Sequence, residues 1–175
     1  MSKSKKTKEA LAPTCNFRKA VEDTPDVVNG YCFGLQALEN VDKSAVTLKD
    51  SRKVDGSLNI DKETKLLYPN EPRWDYAIGY DDKVFFVEVH PANTSNISEM
   101  AKKKEWLQKW LTSKAPSLNK LPSGCPRFLW AATESGVHIS KQASHIRKLA
   151  QLGFNPKRPV TQVSDLEFKP FEHTL

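Results

Sequence analysis

The sequence predicts an α/β fold, in the order helix, strand, acidic hairpin, helix, strand, helix. Three observations predict it. Arg73-Trp74-Asp75-Tyr76-Ala77-Ile78-Gly79-Tyr80 and Val84-Phe85-Phe86-Val87-Glu88-Val89-His90 are apolar runs rich in aromatic and β-branched residues, and Asp81-Asp82 between them marks a β-hairpin. Apolar residues recur at helical spacing from Val28 to Leu38, from Ile97 to Leu111 and from Ile146 to Leu152. The compact run Arg127-Phe128-Leu129-Trp130-Ala131-Ala132 lies between the last two and reads as a buried strand.

Residues 1–23 are polar, charged and without sustained periodicity, which predicts a basic flexible N-terminal arm. A single domain is expected over 24–158, and a polar C-terminal extension over 159–175. Thr24-Pro25-Asp26 is a helix start: Thr as N-cap, Pro at the first position, an acid in the first turn. The helix behind it would carry Val28, Tyr31, Cys32, Leu35 and Leu38 on one face, with Glu39 on that same face, while Gly30 and Gly34 oppose it. Val46-Thr47-Leu48 and Ser57-Leu58-Asn59-Ile60 are short strand candidates, with Asp55-Gly56 as a turn between them. Residues Tyr68 to Pro72 form a further turn before the hairpin.

A tight turn at Asp81-Asp82 sets Tyr80 against Lys83, Ala77 against Phe86 and Asp75 against Glu88. Counting by twos, Arg73, Asp75, Ala77 and Gly79 share a face with Val84, Phe86, Glu88 and His90, whereas Trp74 and Tyr76 point to the opposite face as core. Pro91 is expected to end the second strand, since it lacks an amide donor. Asn96-Ile97-Ser98-Glu99 resembles a capping box, opening a helix of about four turns. Its stripe is Ile97, Met100, Ala101, Leu107 and Leu111, widened by Trp106 and Trp110; Lys104 stands mid-stripe, with Gln108 one turn on. Pro116 to Pro126 reads as a linker, Ser140 as the cap of a last helix with Ile146, Leu149 and Leu152, and Gly153 as its stop.

With 175 residues, 38% hydrophobic, the chain is long enough for one proper core. Cys15, Cys32 and Cys125 have no paired spacing, which argues against a disulfide framework or a zinc knuckle and for a reducing compartment. No apolar run approaches membrane-spanning length, and no apolar stretch follows the N-terminal lysines as a secretory signal would require. The expectation is a cytoplasmic protein without a membrane partner. Its net charge of +6 is uneven: Lys3, Lys5, Lys6, Lys8, Arg18 and Lys19 face Glu9 alone at the N-terminus. Further on, Lys102, Lys103 and Lys104 begin a basic block, and Lys141, Arg147 and Lys148 another. Such blocks contact polyanions or form solvated helix faces; Lys102, Lys103, Lys141, Arg147 and Lys148 are the candidate nucleic-acid contacts, to DNA or RNA. No phosphate-cradling glycine loop, Ser-His-Asp arrangement or zinc helix motif is present.

Like charges directly opposite each other destabilise a sheet, so Asp75 beside Glu88 needs compensation. A hard divalent cation taking carboxylate oxygens would supply it. An acid at the end of one strand, then the acid-x-basic triplet Glu88-Val89-His90 in the next, resembles the PD-(D/E)xK nuclease superfamily, and so do the inward Glu39 and the element order to about residue 152. The resemblance implies a restriction-endonuclease-like αβββαβ core, a mixed sheet flanked by helices. It further implies Mg²⁺ or Mn²⁺ held by Asp75 and Glu88, with Glu39 as an outer ligand, and hydrolysis of phosphodiester bonds. The alternative is a catalytically degenerate relative that binds nucleic acid or a protein; a protein partner or a homodimer is compatible with either.

The superfamily's third residue is a lysine, and here it is His90. His90 can orient or deprotonate the attacking water, ligate a transition metal, or mark an inactive site. Lys104 either fills the place of the missing lysine, as related nucleases sometimes arrange from this helix, or snorkels past Met100 and Leu107 to water. Glu39 likewise either joins the metal site or pairs with a basic neighbour. Asp75, Glu88, His90 and Lys104 are thus the candidate catalytic set, and Asp75, Glu88 and Glu39 the candidate metal ligands.

Overall fold

The computed structural model describes residues 16–48 and 50–156. Four strands, β1 (Val54–Asn59), β2 (Tyr76–Tyr80), β3 (Lys83–Asn93) and β4 (Ser123–His138), form one mixed sheet in the order β1-β2-β3-β4. The first three are antiparallel neighbours, while β4 runs parallel to β3. That parallel return needs a crossover, which α3 (Ile97–Ser113) and α4 (Pro116–Asn119) provide. Helices α1 (Asn16–Glu22), α2 (Ile60–Thr64) and α5 (Ala143–Leu152) complete the α/β architecture.

The hairpin forms in the expected register, with Tyr80 opposite Lys83 and Ala77 opposite Phe86. Asp81 and Asp82 both take left-handed backbone, φ 51° and 61°, the conformation a two-residue hairpin turn requires. The two faces of the sheet bury different sets. Ala77, Val84 and Phe86 pack under α3 with Met100, Leu107 and Leu111, whereas Tyr76, Ile78, Phe85 and Val87 pack on the other side with Leu38, Ala45 and Val46. Trp74 departs from the simple alternation: just ahead of β2, it joins the α3 side, stacked on Phe154 and edge-on to Phe128.

Several boundaries differ from expectation. Residues 16–22 are helical rather than part of an arm, because Phe17, Ala20 and Val21 are all buried in the α3-side core; residues 1–15 of the expected arm, the last two residues of the expected domain and the extension 159–175 lie outside the described residues. The predicted helix after Thr24 shrinks to a single 3₁₀ turn, Pro25–Val27. A Cβ at Gly30 would stand 2.5 Å from Leu58 Cδ1, too close for any side chain, and the chain turns at Gly34, which has φ +57°. Between them Cys32 pairs with Ser57 as an added edge to β1, leaving Phe33 exposed. Residues 46–48 form no strand, and Asp55-Gly56 is not a turn but a bulge inside β1, where Gly56 has φ +147°. Strand β3 continues through Pro91 to Asn93, its pairing with β4 shifting between His90 and Ala92; a bulge tolerates the missing amide. The expected linker holds α4, and β4 starts at Ser123. No capping box forms at Asn96; one forms three residues earlier, between Asn93 and Asn96, on the 3₁₀ turn Thr94–Asn96 that leads into α3, and Gln142 rather than Ser140 stands at the α5 N-cap, while Gly153 closes α5 at φ 67° as expected.

Candidate active site

Asp75 is the last residue before β2, so the hairpin register carries it to Glu88 on the central strand β3. The two carboxylates are stitched into each other's strands. The Asp75 amide donates to Glu88 Oε2 at 2.9 Å, and the Val89 amide donates to Asp75 Oδ2 at 3.0 Å. Each acid thereby keeps one oxygen away from the backbone, Asp75 Oδ1 and Glu88 Oε1. Both face the ammonium of Lys103, which reaches down from α3. Its Nζ lies 3.7 Å from Asp75 Oδ1, forms an ion pair with Glu88 Oε1, and donates to the Arg73 carbonyl at 2.9 Å.

Burial decides the electrostatics. The Glu88 side chain is 0% exposed, Lys103 14% and Asp75 21%, so the triad opens to solvent at the Asp75 end. Burial pushes the Glu88 carboxyl well above the usual carboxylate range, and the Asp75 charge pushes it further, against the pull of Lys103. Burial likewise raises Asp75, opposed by Lys103 and the Val89 amide. For Lys103 burial would lower the ammonium, yet Glu88 and Asp75 outweigh it and hold it above its usual value.

Asp75 opens on a cleft of about 330 Å³ lined by Glu39, Asp42, Asn59, Asp61, Lys62, Lys65 and Tyr76. The cleft is built by the 39–42 segment, α2 and the start of β2. Asp42 accepts from the Tyr76 hydroxyl at 2.6 Å, and Asp61 is paired with Arg73 at 2.8 Å. Both carboxylates add to the upward pressure on Asp75.

The structure distributes the predicted residues unevenly. Asp75 and Glu88 meet as the register requires. Glu39 reaches the same cleft from a loop rather than a helix, its amide donating to the Tyr76 hydroxyl at 3.3 Å. His90 lies two residues beyond Glu88, but its partners are Glu99 Oε1 at 3.3 Å and the Pro91 carbonyl, and its own carbonyl holds the Trp130 indole. Lys104 is engaged elsewhere: it donates to the Leu152 carbonyl at the end of α5 and sits 5.0 Å and 5.3 Å from the Phe128 and Phe154 ring centres. Lys103, taken from sequence as a surface contact to nucleic acid, holds the position considered for Lys104. The signal was present, since Lys103 stands three residues after Met100 and four before Leu107, as close to the stripe as its neighbour. Lys102, Lys141, Arg147 and Lys148 are exposed, and Lys148 donates to Ser98 Oγ at the start of α3.

Among the described residues no three His, Cys, Asp or Glu side chains converge as a metal cluster; the carboxylates that face Lys103 are the pair Asp75 and Glu88. Nor is any helix among them long and apolar enough to cross a membrane. No family model matches the chain, and neither the curated proteins nor the solved structures contain a match to it.

Proposed function

We propose that this chain is a metal-dependent nuclease of the PD-(D/E)xK type, with Asp75, Glu88 and Lys103 as its working residues. One observation carries the reading: two carboxylates, one just ahead of β2 and one on β3, and one ammonium from α3 converge in a largely buried site. The mixed β1-β2-β3-β4 sheet with a helical crossover supports it, since it matches the strand pattern the resemblance implies.

The donor chemistry fits Mg²⁺ or Mn²⁺. Asp75 Oδ1 and Glu88 Oε1 are hard oxygens already directed at a single cation, and they are the atoms that would hold the metal. Such an ion supplies a more acidic bound water and stabilises charge on a phosphodiester. The chain's own parts do the rest. The Val89 and Asp75 amides fix both carboxylates, so little reorganisation accompanies the reaction. Lys103 provides the fixed positive charge that the resemblance assigns to the residue two after Glu88, from the next helix instead of from His90. Lys62 and Lys65 line the cleft beside Asp75 and offer charge to an approaching phosphate backbone. Lys102, Lys141, Arg147 and Lys148 would extend that contact along α3 and α5, to DNA or RNA.

A second reading, a nuclease-like fold kept for binding alone, is favoured by the complete burial of Glu88 and by His90 turning to Glu99. Cleavage of labelled single- and double-stranded DNA and RNA with Mg²⁺ or Mn²⁺ separates them. The nuclease reading expects metal-dependent products that fall by at least about a hundredfold in Glu88→Gln. Binding without cleavage under every metal condition would leave the binding module.

A further inference from the structure

We propose, resting on the nuclease reading above, that a second cleft beside the acid pair takes one unpaired nucleobase, so that the substrate is a nucleic acid single-stranded next to the cut. The cleft holds about 370 Å³ and lies between the 41–45 segment and the C-terminal parts of β3 and β4. Two residues tie it to the acids. Asp42 lines both this cleft and the one onto which Asp75 opens. Val89, on its wall, is the residue whose amide holds Asp75 Oδ2. A strand with its scissile phosphate at Asp75 and Glu88 therefore brings an adjoining base to the mouth of the cleft.

The lining fits a base better than a phosphate. Val41, Ala45, Val89 and Ala132 form apolar walls, and among the described residues no lysine or arginine lines the cleft. The polar groups stand on β4, where the Ser135 hydroxyl and the Glu134 carboxylate can accept from an exocyclic amino group such as that of cytosine or adenine. An apolar slot with acceptors at one edge buries the faces of a heterocycle and keeps its edge hydrogen-bonded. Val41, 80% exposed at the rim, would be covered by such a base. The 41–45 wall is set in advance: the Tyr76 hydroxyl donates to Asp42 at 2.6 Å and accepts from the Glu39 amide at 3.3 Å, and Ala45 packs on the sheet. A base in a duplex is stacked and paired, and enters such a slot only by leaving its helix, a cost that a single strand does not bear.

Fluorescence anisotropy of labelled single-stranded and duplex oligonucleotides of one sequence tests this in wild type, Ser44→Trp and Ser44→Ala. Binding is read in Ca²⁺, which takes the same carboxylate oxygens, and cleavage in Mg²⁺ is read alongside. Ser44 is exposed at the rim, so an indole there fills the slot without entering the core, while Ser44→Ala removes only a hydroxyl bonded to the Val41 carbonyl at 3.4 Å. The expected result is single strands bound at least about tenfold tighter than duplex by wild type and Ser44→Ala, with that preference lost in Ser44→Trp through weaker single-strand binding. Single strands bound equally by wild type and Ser44→Trp, or not bound at all, would overturn the base cleft, while metal-dependent cleavage of duplex would still uphold the nuclease. A single-strand preference lost in Ser44→Trp, with no cleavage in Mg²⁺, would keep the cleft as a binding site and count against the nuclease alone.

Discussion

Lys103 and Glu88 form a buried pair whose members cannot be removed singly without consequence. Taking away the ammonium leaves Glu88, 0% exposed, without its cation, and the loss expected for Lys103→Met is about 3–5 kcal/mol near neutral pH. The pH dependence follows from the direction of the Glu88 shift. Its folded-state value lies above the ordinary 4.5 because burial disfavours the charge, and removing Lys103 raises it further. In the variant the Glu88 contribution to stability is therefore fully present below about pH 4.5, where Glu88 is protonated in both states, and is lost as pH rises through the raised folded value. Urea denaturation between acid and neutral pH should show the gap from wild type narrowing on acidification. The double variant Lys103→Met/Glu88→Gln should recover much of the neutral-pH loss; no recovery would mean that Lys103 stabilises through its stem. At this scale the sequence showed the acids and their register plainly, because a period of two and a tight turn fix which side chains meet. Choosing Lys103 over Lys104 was beyond it, since adjacent residues on one helix flank the same stripe and only the placement of α3 against β3 and α5 separates them.

Among the elements, the β2–β3 hairpin is the one on which the site depends, and its turn is not the cheapest available. Asp81 and Asp82 both sit at positive φ, where a β-carbon costs about 1 kcal/mol. Asp82→Gly should therefore stabilise the protein by about 0.5–1 kcal/mol, seen as a rise in Tm. The Asp82 amide bond to Asp55 and the Asp81–Lys53 contact are kept in that variant. A fall in Tm would show that the Asp82 side chain does more than tolerate the turn. The segment 24–48 is the opposite case, in which apolar spacing suggested a helix. Gly30 sits where no side chain fits, Gly34 turns the chain, and the residues of the supposed stripe separate: Leu38 covers the far face of the sheet while Val28 is half-exposed. Helical periodicity describes where side chains would point if the backbone were helical, and the left-handed turn at Gly34 removed that premise.

For the whole molecule, the N-terminal helix extends the domain to at least Asn16. Phe17 is 3% exposed and joins the core shared with Leu58, Ala77 and α3, so Phe17→Ala should cost about 3–5 kcal/mol by denaturant titration. A loss under 1 kcal/mol would mean that α1 is an appendage. Local signals determined much of this protein: the hairpin and its register, the meeting of Asp75 with Glu88, the long α3, the strand before α5 and the glycine that ends it. Each of these rests on neighbours in sequence, through side-chain alternation, helical spacing or turn chemistry. Tertiary structure alone decided that α1 is core, that the 24–48 segment lies over the sheet as turns, that Glu39 reaches the cleft from a loop, and that Lys103 is the cation between the acids. Those outcomes depend on which surfaces were left to cover and which buried charge needed compensation, and neither exists until the sheet has closed against α3.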